Sequence, residues 1–369
     1  MSRINLSTAP LAPGATIGIL GGGQLGRMLA LAAARLGLKS HIYCHDRNAP
    51  AFQVADRHSC GEFDDREAVQ TFAKSCDAVT FEFENVPADT VEVIAHICPV
   101  NPDAKALRFT QDRFEEKKFI RALGLKTPDF YAVETDEDAM LSFAKLGGRG
   151  VLKTRRLGYD GKGQFKAASA DEAAAALAAF RHAPSILEAF VDFEFEASIV
   201  AARGRDGSFA AYDPPENAHE NHILRRSLVP GRLNEAQARG AEKIARTIAE
   251  ALGYVGVLAV ELFVAKDGAL LVNEIAPRVH NSGHWTIEAC SASQFEQHIR
   301  AIAGWPLGDA TRHADAMMEN ILGEEAAAWR SYAGRTGALH LYGKSEIRPG
   351  RKMGHFTKLS PLTKPRSRP

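Results

Sequence analysis

The 369-residue chain has no surplus of either charge: 45 lysines and arginines stand against 45 aspartates and glutamates. That balance excludes a general polycation for nucleic acid or anionic lipid, so any anion site must be local. No apolar run approaches the roughly eighteen residues that a membrane-crossing helix needs. The opening MSRINLSTAPLAPGA lacks the apolar core of a secretory signal. The five cysteines (Cys44, Cys60, Cys76, Cys98 and Cys290) have neither C-x-x-C nor metal-ligand spacing, which reads as buried thiols in a reducing compartment. A cytoplasmic protein with no membrane or nucleic-acid partner is expected. No internal repeat is evident, and the length calls for two or three domains.

What is present begins with TIGILGGGQLGRMLALAAARLGL (16–38), an apolar strand that enters three glycines and leaves along an apolar helix. Gly21, Gly23 and Gly26 fit G-x-G-x-x-G, and Asp46 follows about twenty residues on, where dinucleotide-binding folds hold a ribose hydroxyl. Up to Val100, TIGIL, KSHIYC, AVTFEF and CPV alternate with helices starting near Gln24, Asp65 and Thr90. The alternation predicts a parallel sheet in a doubly wound α/β domain. After a charged amphipathic helix (112–123), the segments YAVE, GVLKT, GQFKAAS and SILEAFV predict a small α+β unit able to hinge over a larger one. From EFEASIVAARGRDGSFAAYDP onward, close turns favour antiparallel pairing. Two last strands are expected around Pro349-Gly350, before a loose tail, SPLTKPRSRP.

Two constellations carry chemistry. In YVGVLAVELFVAKDGALLVNEIAPRVHNSGHW, Asp267-Gly268 is a strong hairpin signal. With these as the two turn residues, Val264 faces Leu271, Leu262 faces Asn273, and Glu261 faces Glu274. Two carboxylates then stand about 5 Å apart, and a hard divalent cation would relieve their repulsion. An exposed, solvated pair, or a slipped register, is the plain alternative. The second constellation, VLKTRRLGYDGKGQ, puts Lys153 at a strand end before Gly158, Gly161 and Gly163, a pattern suited to phosphate. It is not a P-loop, and a glycine-rich turn with surface lysines is its plain alternative. Glu188 and Glu196 in SILEAFVDFEFE are acids able to accept from an adenine amine or ribose.

The order of these motifs, with GYDGKGQ and APRVHNSGHW the most specific, resembles the ATP-grasp enzymes. Within them it is similar to the ATP-dependent carboxyaminoimidazole ribonucleotide synthetases of purine biosynthesis, over nearly the whole chain. The resemblance implies a Rossmann-like substrate-binding domain (1–107), an ATP-grasp domain (108–304, lid roughly 126–190) and a small C-terminal domain (305–369), commonly as a homodimer. It implies carboxylation of 5-aminoimidazole ribonucleotide with bicarbonate, ATP and Mg²⁺. ATP would meet Arg108, Lys153, Gly158, Tyr159, Asp160, Gly161, Lys162, Gly163, Gln164, Glu188, Ala189, Phe190, Val191, Glu196, His219, Asn273 and Glu274. Glu261 and Glu274 would hold Mg²⁺. The ribonucleotide would meet Gln24, Leu25, Glu82 and Tyr159, with Lys344 and Arg351 on its phosphate, and Arg278, Asn281 and Ser282 would be further substrate contacts. Arg278 and His280 would serve the bicarbonate site, so that Lys153, Arg278 and His280 are the catalytic candidates. Leu157 stands where the family loop often has glycine. The competing readings are a nicotinamide dehydrogenase, suggested by the opening turn, another ATP-grasp ligase such as a formate-dependent glycinamide ribonucleotide transformylase, and a nucleotide-binding regulator.

Overall fold

A computed structural model describes residues 9–158 and 163–363, and these residues build three sheets. The first is parallel, in the order β3-β2-β1-β4: β1 (Thr16–Leu20), β2 (Lys39–Cys44), β3 (Arg57–Cys60) and β4 (Ala78–Phe81). Helices α1 (Gln24–Arg35), α2 (Arg66–Lys74) and α3 (Ala88–Ala95) make the crossovers that parallel pairing requires. Every residue of β1 and β4 is buried, which is why both are apolar but for one threonine each. Strand β3 was not expected: Arg-His-Ser-Cys at a sheet edge carries no apolar alternation. The CPV segment contributes only a bridge from Val100 to Val79.

Helices α4 (Ala104–Thr110) and α5 (Arg113–Ala122) lead away from this sheet. Asp112 caps α5 by accepting the amides of Phe114 and Glu115. The second sheet is antiparallel, in the order β5-β8-β6-β7: β5 (Phe130–Val133), β6 (Gly150–Thr154), β7 (Gln164–Ala167) and β8 (Ser185–Ala189). Helices α6 (Asp136–Leu146) and α7 (Ala170–Ala179) pack on it around Val133, Leu152 and Leu187. This small unit has a core of its own.

The third sheet has nine antiparallel strands: β9 (Phe193–Arg203), β10 (Phe209–Ala211), β11 (Glu216–Glu220), β12 (Ile223–Val229), β13 (Gly256–Ala265), β14 (Leu270–Ala276), β15 (Asp315–Leu322), β16 (Ala338–Leu341) and β17 (Lys352–Ser360). The order is β14-β13-β9-β11-β12-β15-β17-β16, with β10 beside β9 and β14 at an edge. The C-terminal strands thus extend the central sheet through the β12–β15 pairing. Helix α8 (Glu235–Leu252) buries Ala238, Ala241, Ala245, Ile248 and Leu252 at helical spacing; Asn234 and Gln237 form its capping box and left-handed Gly253 ends it. After the short α9 (Thr286–Ala289), α10 (Gln294–Ala303) is buried almost all round between the first and third sheets. Its His298 bonds Thr80 of β4 (2.7 Å) and accepts the Val257 amide of β13 (3.0 Å), so the two sheets share one core.

The β13–β14 hairpin corrects the expected register. Its loop holds three residues, not two: Ala265 pairs with Ala269, and Gly268 takes φ +83°. Val264 therefore faces Leu270 and Leu262 faces Val272. A bulge then admits Asn273 as an extra residue on β14, and Glu261 faces Glu274 as expected. Two departures cancel.

Candidate active site

Gly23 is the N-cap of helix α1, and the guest at this N-terminus belongs to the chain. Glu82, at the end of β4, accepts the Gly23 amide at 2.6 Å. A Cβ on Gly21 or Gly23 would stand 2.7 or 3.0 Å from Glu82 Oε1. The glycines make room for this carboxylate, and a dinucleotide pyrophosphate would meet a like charge there. Burial raises the Glu82 carboxyl above its ordinary range; the Gly23 amide and the charges of Arg278 and Lys344 only partly oppose it.

Glu82, Gln24, Lys344 and Arg351 line one pocket of about 210 Å³, together with Cys44, Asp46, Phe63 and Phe83. Lys344 donates to the Lys352 carbonyl (2.7 Å) and Arg351 to the Glu346 carbonyl (2.8 Å), so the β16–β17 loop carries both cations to the glycine turn. Gln53 holds that loop by donating to the Gly343 carbonyl (2.8 Å). Leu25 is on α1, but its side chain is in the core, which leaves its backbone for any contact. Asp46, a residue with no role in the resemblance, is part of the pocket wall.

The second locus lies between the second sheet and the β13–β14 hairpin. Lys153 of β6 donates to Glu188 Oε2 at 3.0 Å, and the fully buried Lys117 of α5 stands 3.4 Å from the same oxygen. Burial works against ionisation of Glu188, yet Lys117 and Lys153 hold its carboxyl down at about 2. Arg113 pairs with Glu274 (2.9 Å) and donates to the Gly158 carbonyl (3.3 Å). Glu261 meets His280 Nε2 at 3.2 Å, and Glu196 meets His219 Nδ1 at 2.6 Å. Burial opposes the charge on Glu261, but His280 and His219 bring its carboxyl below the usual range. Burial likewise opposes protonation of His219, and the Glu196 contact outweighs it, raising the imidazole.

Gly163 (φ +70°) accepts the Thr154 amide, and Gln164 meets His222 at 3.0 Å. Ala189, Phe190 and Val191 lead from β8 of the second sheet toward β9. Tyr159, Asp160, Gly161 and Lys162 lie outside the described residues. Arg108 is not joined to this group: it is half-exposed on α4, where Asp89 (2.8 Å) and Glu92 (2.7 Å) bind it.

Between the two loci runs the segment after β14. Arg278 pairs with Glu84, two residues beyond Glu82, and donates to the Val279 carbonyl. His280 Nδ1 meets Ser282 Oγ at 2.8 Å, and Ser198 donates to the same hydroxyl at 2.7 Å. Both amide atoms of Asn281 are buried without a partner among the described residues, as is Asn273 Oδ1. Such groups call for a polar partner, water or ligand. No three or more His, Cys, Asp and Glu side chains cluster as a metal cage among the described residues. Two facing carboxylates beside an unpartnered amide oxygen nevertheless fit Mg²⁺, which takes one or two carboxylates alongside phosphate oxygens. Arg113, Lys117 and Glu84 were missed, because charged residues on a helix or in a loop read as solvated.

Family models match in three consecutive stretches: a ribonucleotide synthetase preATP-grasp domain at 14–111, an ATP-grasp domain at 118–295, and a phosphoribosylaminoimidazole carboxylase C-terminal domain at 316–364. The N5-carboxyaminoimidazole ribonucleotide synthase of Brucella melitensis is 50% identical over 356 residues, 96% of this chain and 98% of that one. The chain belongs to the N5-carboxyaminoimidazole ribonucleotide synthase family. It is an ATP-grasp ligase. An ADP complex of one such synthetase superposes with a TM-score of 0.92 at 41% identity, covering 96% of this chain and 94% of that one. The synthase from Aspergillus clavatus, in complex with ADP and 5-aminoimidazole ribonucleotide, gives a TM-score of 0.89 at 32% identity, covering 95% and 94%. No helix among the described residues is long and apolar enough to cross a membrane.

Proposed function

We propose that this chain carboxylates the exocyclic amine of 5-aminoimidazole ribonucleotide, with the ribonucleotide in the glycine-turn pocket and ATP in the cleft under the lid sheet. One observation carries the assignment of sites: Arg278 pairs with Glu84 beside the first locus, while His280, two residues on, pairs with Glu261 in the second. The segment 278–282 is thus where two bound substrates would meet.

In this reading Lys344 and Arg351 hold the ribonucleotide phosphate by charge-assisted bonds. Lys153, the loop after it, Glu188, Glu196 and His219 hold ATP. Glu261 and Glu274 hold Mg²⁺, which neutralises phosphate charge when bound. Bicarbonate sits against Arg278, His280, Asn281 and Ser282. Its oxygen attacks the γ-phosphorus, ADP leaves, and carboxyphosphate remains. The positive side chains around it stabilise the charge that builds on the transferring group. The amine then takes the carboxyl carbon, phosphate departs, and the amine proton is lost. Glu82, whose affinity for a proton burial has raised, is the group in this pocket suited to receive it. Closure of the lid sheet excludes water, to which carboxyphosphate and the carbamate product are both labile.

ADP release is the test. It should require 5-aminoimidazole ribonucleotide and rise with bicarbonate; ATP turnover indifferent to the ribonucleotide would overturn the assignment. A homodimer, as the family resemblance implies, is checked by light scattering.

A further inference from the structure

Strand β14 is an edge strand, so half of its backbone groups have no neighbouring strand to pair with. They are met instead by α5 and the segment after it. Lys117 Nζ donates to the carbonyls of Val272 (3.4 Å) and Asn273 (2.7 Å). Glu116 Oε1 accepts the amide of Ile275 at 2.7 Å, and the Lys126 carbonyl accepts that of Val272 at 2.8 Å. Glu116 and Lys117 are adjacent in sequence and both fully or almost fully buried, at 2% and 0% exposure. Their bonds bracket the bulge at Asn273.

That bulge decides what faces Glu261. Between the turn and Leu262, the register pairs residues whose partners continue to Asn273 opposite Glu261. Without the extra residue, Asn273 would occupy the site and Glu274 would turn to the opposite face of the sheet. The same ammonium also reaches Glu188 of the lid sheet, so one buried cation joins both walls of the cleft.

We propose that Glu116 and Lys117 are positioning residues that hold the β14 bulge and so place Glu274 opposite Glu261. The inference rests on the reading of Glu261 and Glu274 as the Mg²⁺ pair. Neither residue touches a substrate in this account; Glu116 acts through strand β14 alone, and Lys117 through β14 and through Glu188.

The test compares steady-state kinetics of the full chain with Lys117→Met, Glu116→Leu and Glu116→Gln. Loss of a group that orients metal ligands costs about 10–100-fold in metal affinity or activity. Lys117→Met and Glu116→Leu should raise the Mg²⁺ concentration for half-maximal rate, and the KM for ATP, by about that factor. The KM for the ribonucleotide should stay put, because its pocket is on the other side of segment 278–282. Glu116→Gln keeps an oxygen for the Ile275 amide and should stay near the parent. A parallel rise in the ribonucleotide KM, or an unchanged Mg²⁺ requirement, would overturn the proposal. Should Lys117→Met lose cooperative melting, the Glu116 pair decides alone. Glu261→Gln separates the two readings: if it leaves the Mg²⁺ requirement unaltered, the metal pair and the clamp both fail. If it alters that requirement while Lys117→Met and Glu116→Leu do not, only the clamp fails.

Discussion

Glu82 and Glu188 are both buried carboxylates at the end of a strand, and their environments push them in opposite directions. Glu82 faces one backbone amide, with its cations further off and Glu84 nearby, so the cost of burial prevails and its carboxyl is raised. Glu188 shares one oxygen between two ammonium groups, and its carboxyl falls to about 2. Burial alone does not set the ionisation of a carboxylate; the distance to the nearest cation does. In the proposed assignment of sites the difference suits the two loci: a group able to exchange a proton would stand beside the ribonucleotide, and a carboxylate held ionised beside ATP.

Glu188→Gln should break this contrast with the largest effect. It leaves Lys117 buried without its carboxylate, a loss of about 3–5 kcal/mol measured by chemical denaturation. Because the folded-state value of Glu188 lies below its ordinary 4.5, its contribution to stability is full above that value and fades as pH falls toward 2. The acid limb of the parent's stability curve over that range should therefore flatten in the variant.

Lys344→Ala acts on the other locus. It should raise the KM for the ribonucleotide by about 10–100-fold, the worth of a charged hydrogen bond, and leave the KM for ATP unchanged. An equal rise in both would remove the separation of the two loci.

Glu82→Gln sharpens the comparison, since stability and activity should move apart. Glutamine still accepts the Gly23 amide but carries no charge to bury. Glu82 is raised in the folded state, so its ionisation opposes folding as pH rises above 4.5. The variant's melting temperature should exceed the parent's by a margin that grows with pH from there, while turnover falls about 100-fold. A lower melting temperature at neutral pH would contradict the ionisation argued for this site.

The smallest effect is expected at Leu157, where an exposed leucine holds φ +62° before the lid loop. Leu157→Gly should relieve roughly 1 kcal/mol of backbone strain, less the entropy that glycine adds to the unfolded chain. A small gain in thermal stability with little change in turnover is the expected result.

Local chemistry made much of this protein legible. The β-strand and helix alternation, the lysine strand and the hairpin signal are all properties of short stretches, and each is found where its residues suggested. Strand β3 escaped because an exposed edge needs no apolar pattern. Arg113, Glu116 and Lys117 escaped because charges on a helix usually face water; here β14 gives Glu116 and Lys117 backbone partners, and Arg113 the Glu274 carboxylate, that no local pattern reveals. The glycine turn misled for a related reason. Its residues state that something must approach the backbone closely, without saying what.

The sequence by itself determined which segments form most of the strands and helices, which residue types could hold phosphate and metal, and the family. Tertiary structure decided that the glycine turn receives Glu82, that a bulge restores the facing glutamates, and that Lys117 joins the two walls of the cleft. The reason is physical: secondary structure and turn chemistry are set within a few residues. The ionisation of a buried group, and the register of an edge strand, are set by partners that can lie more than a hundred residues away.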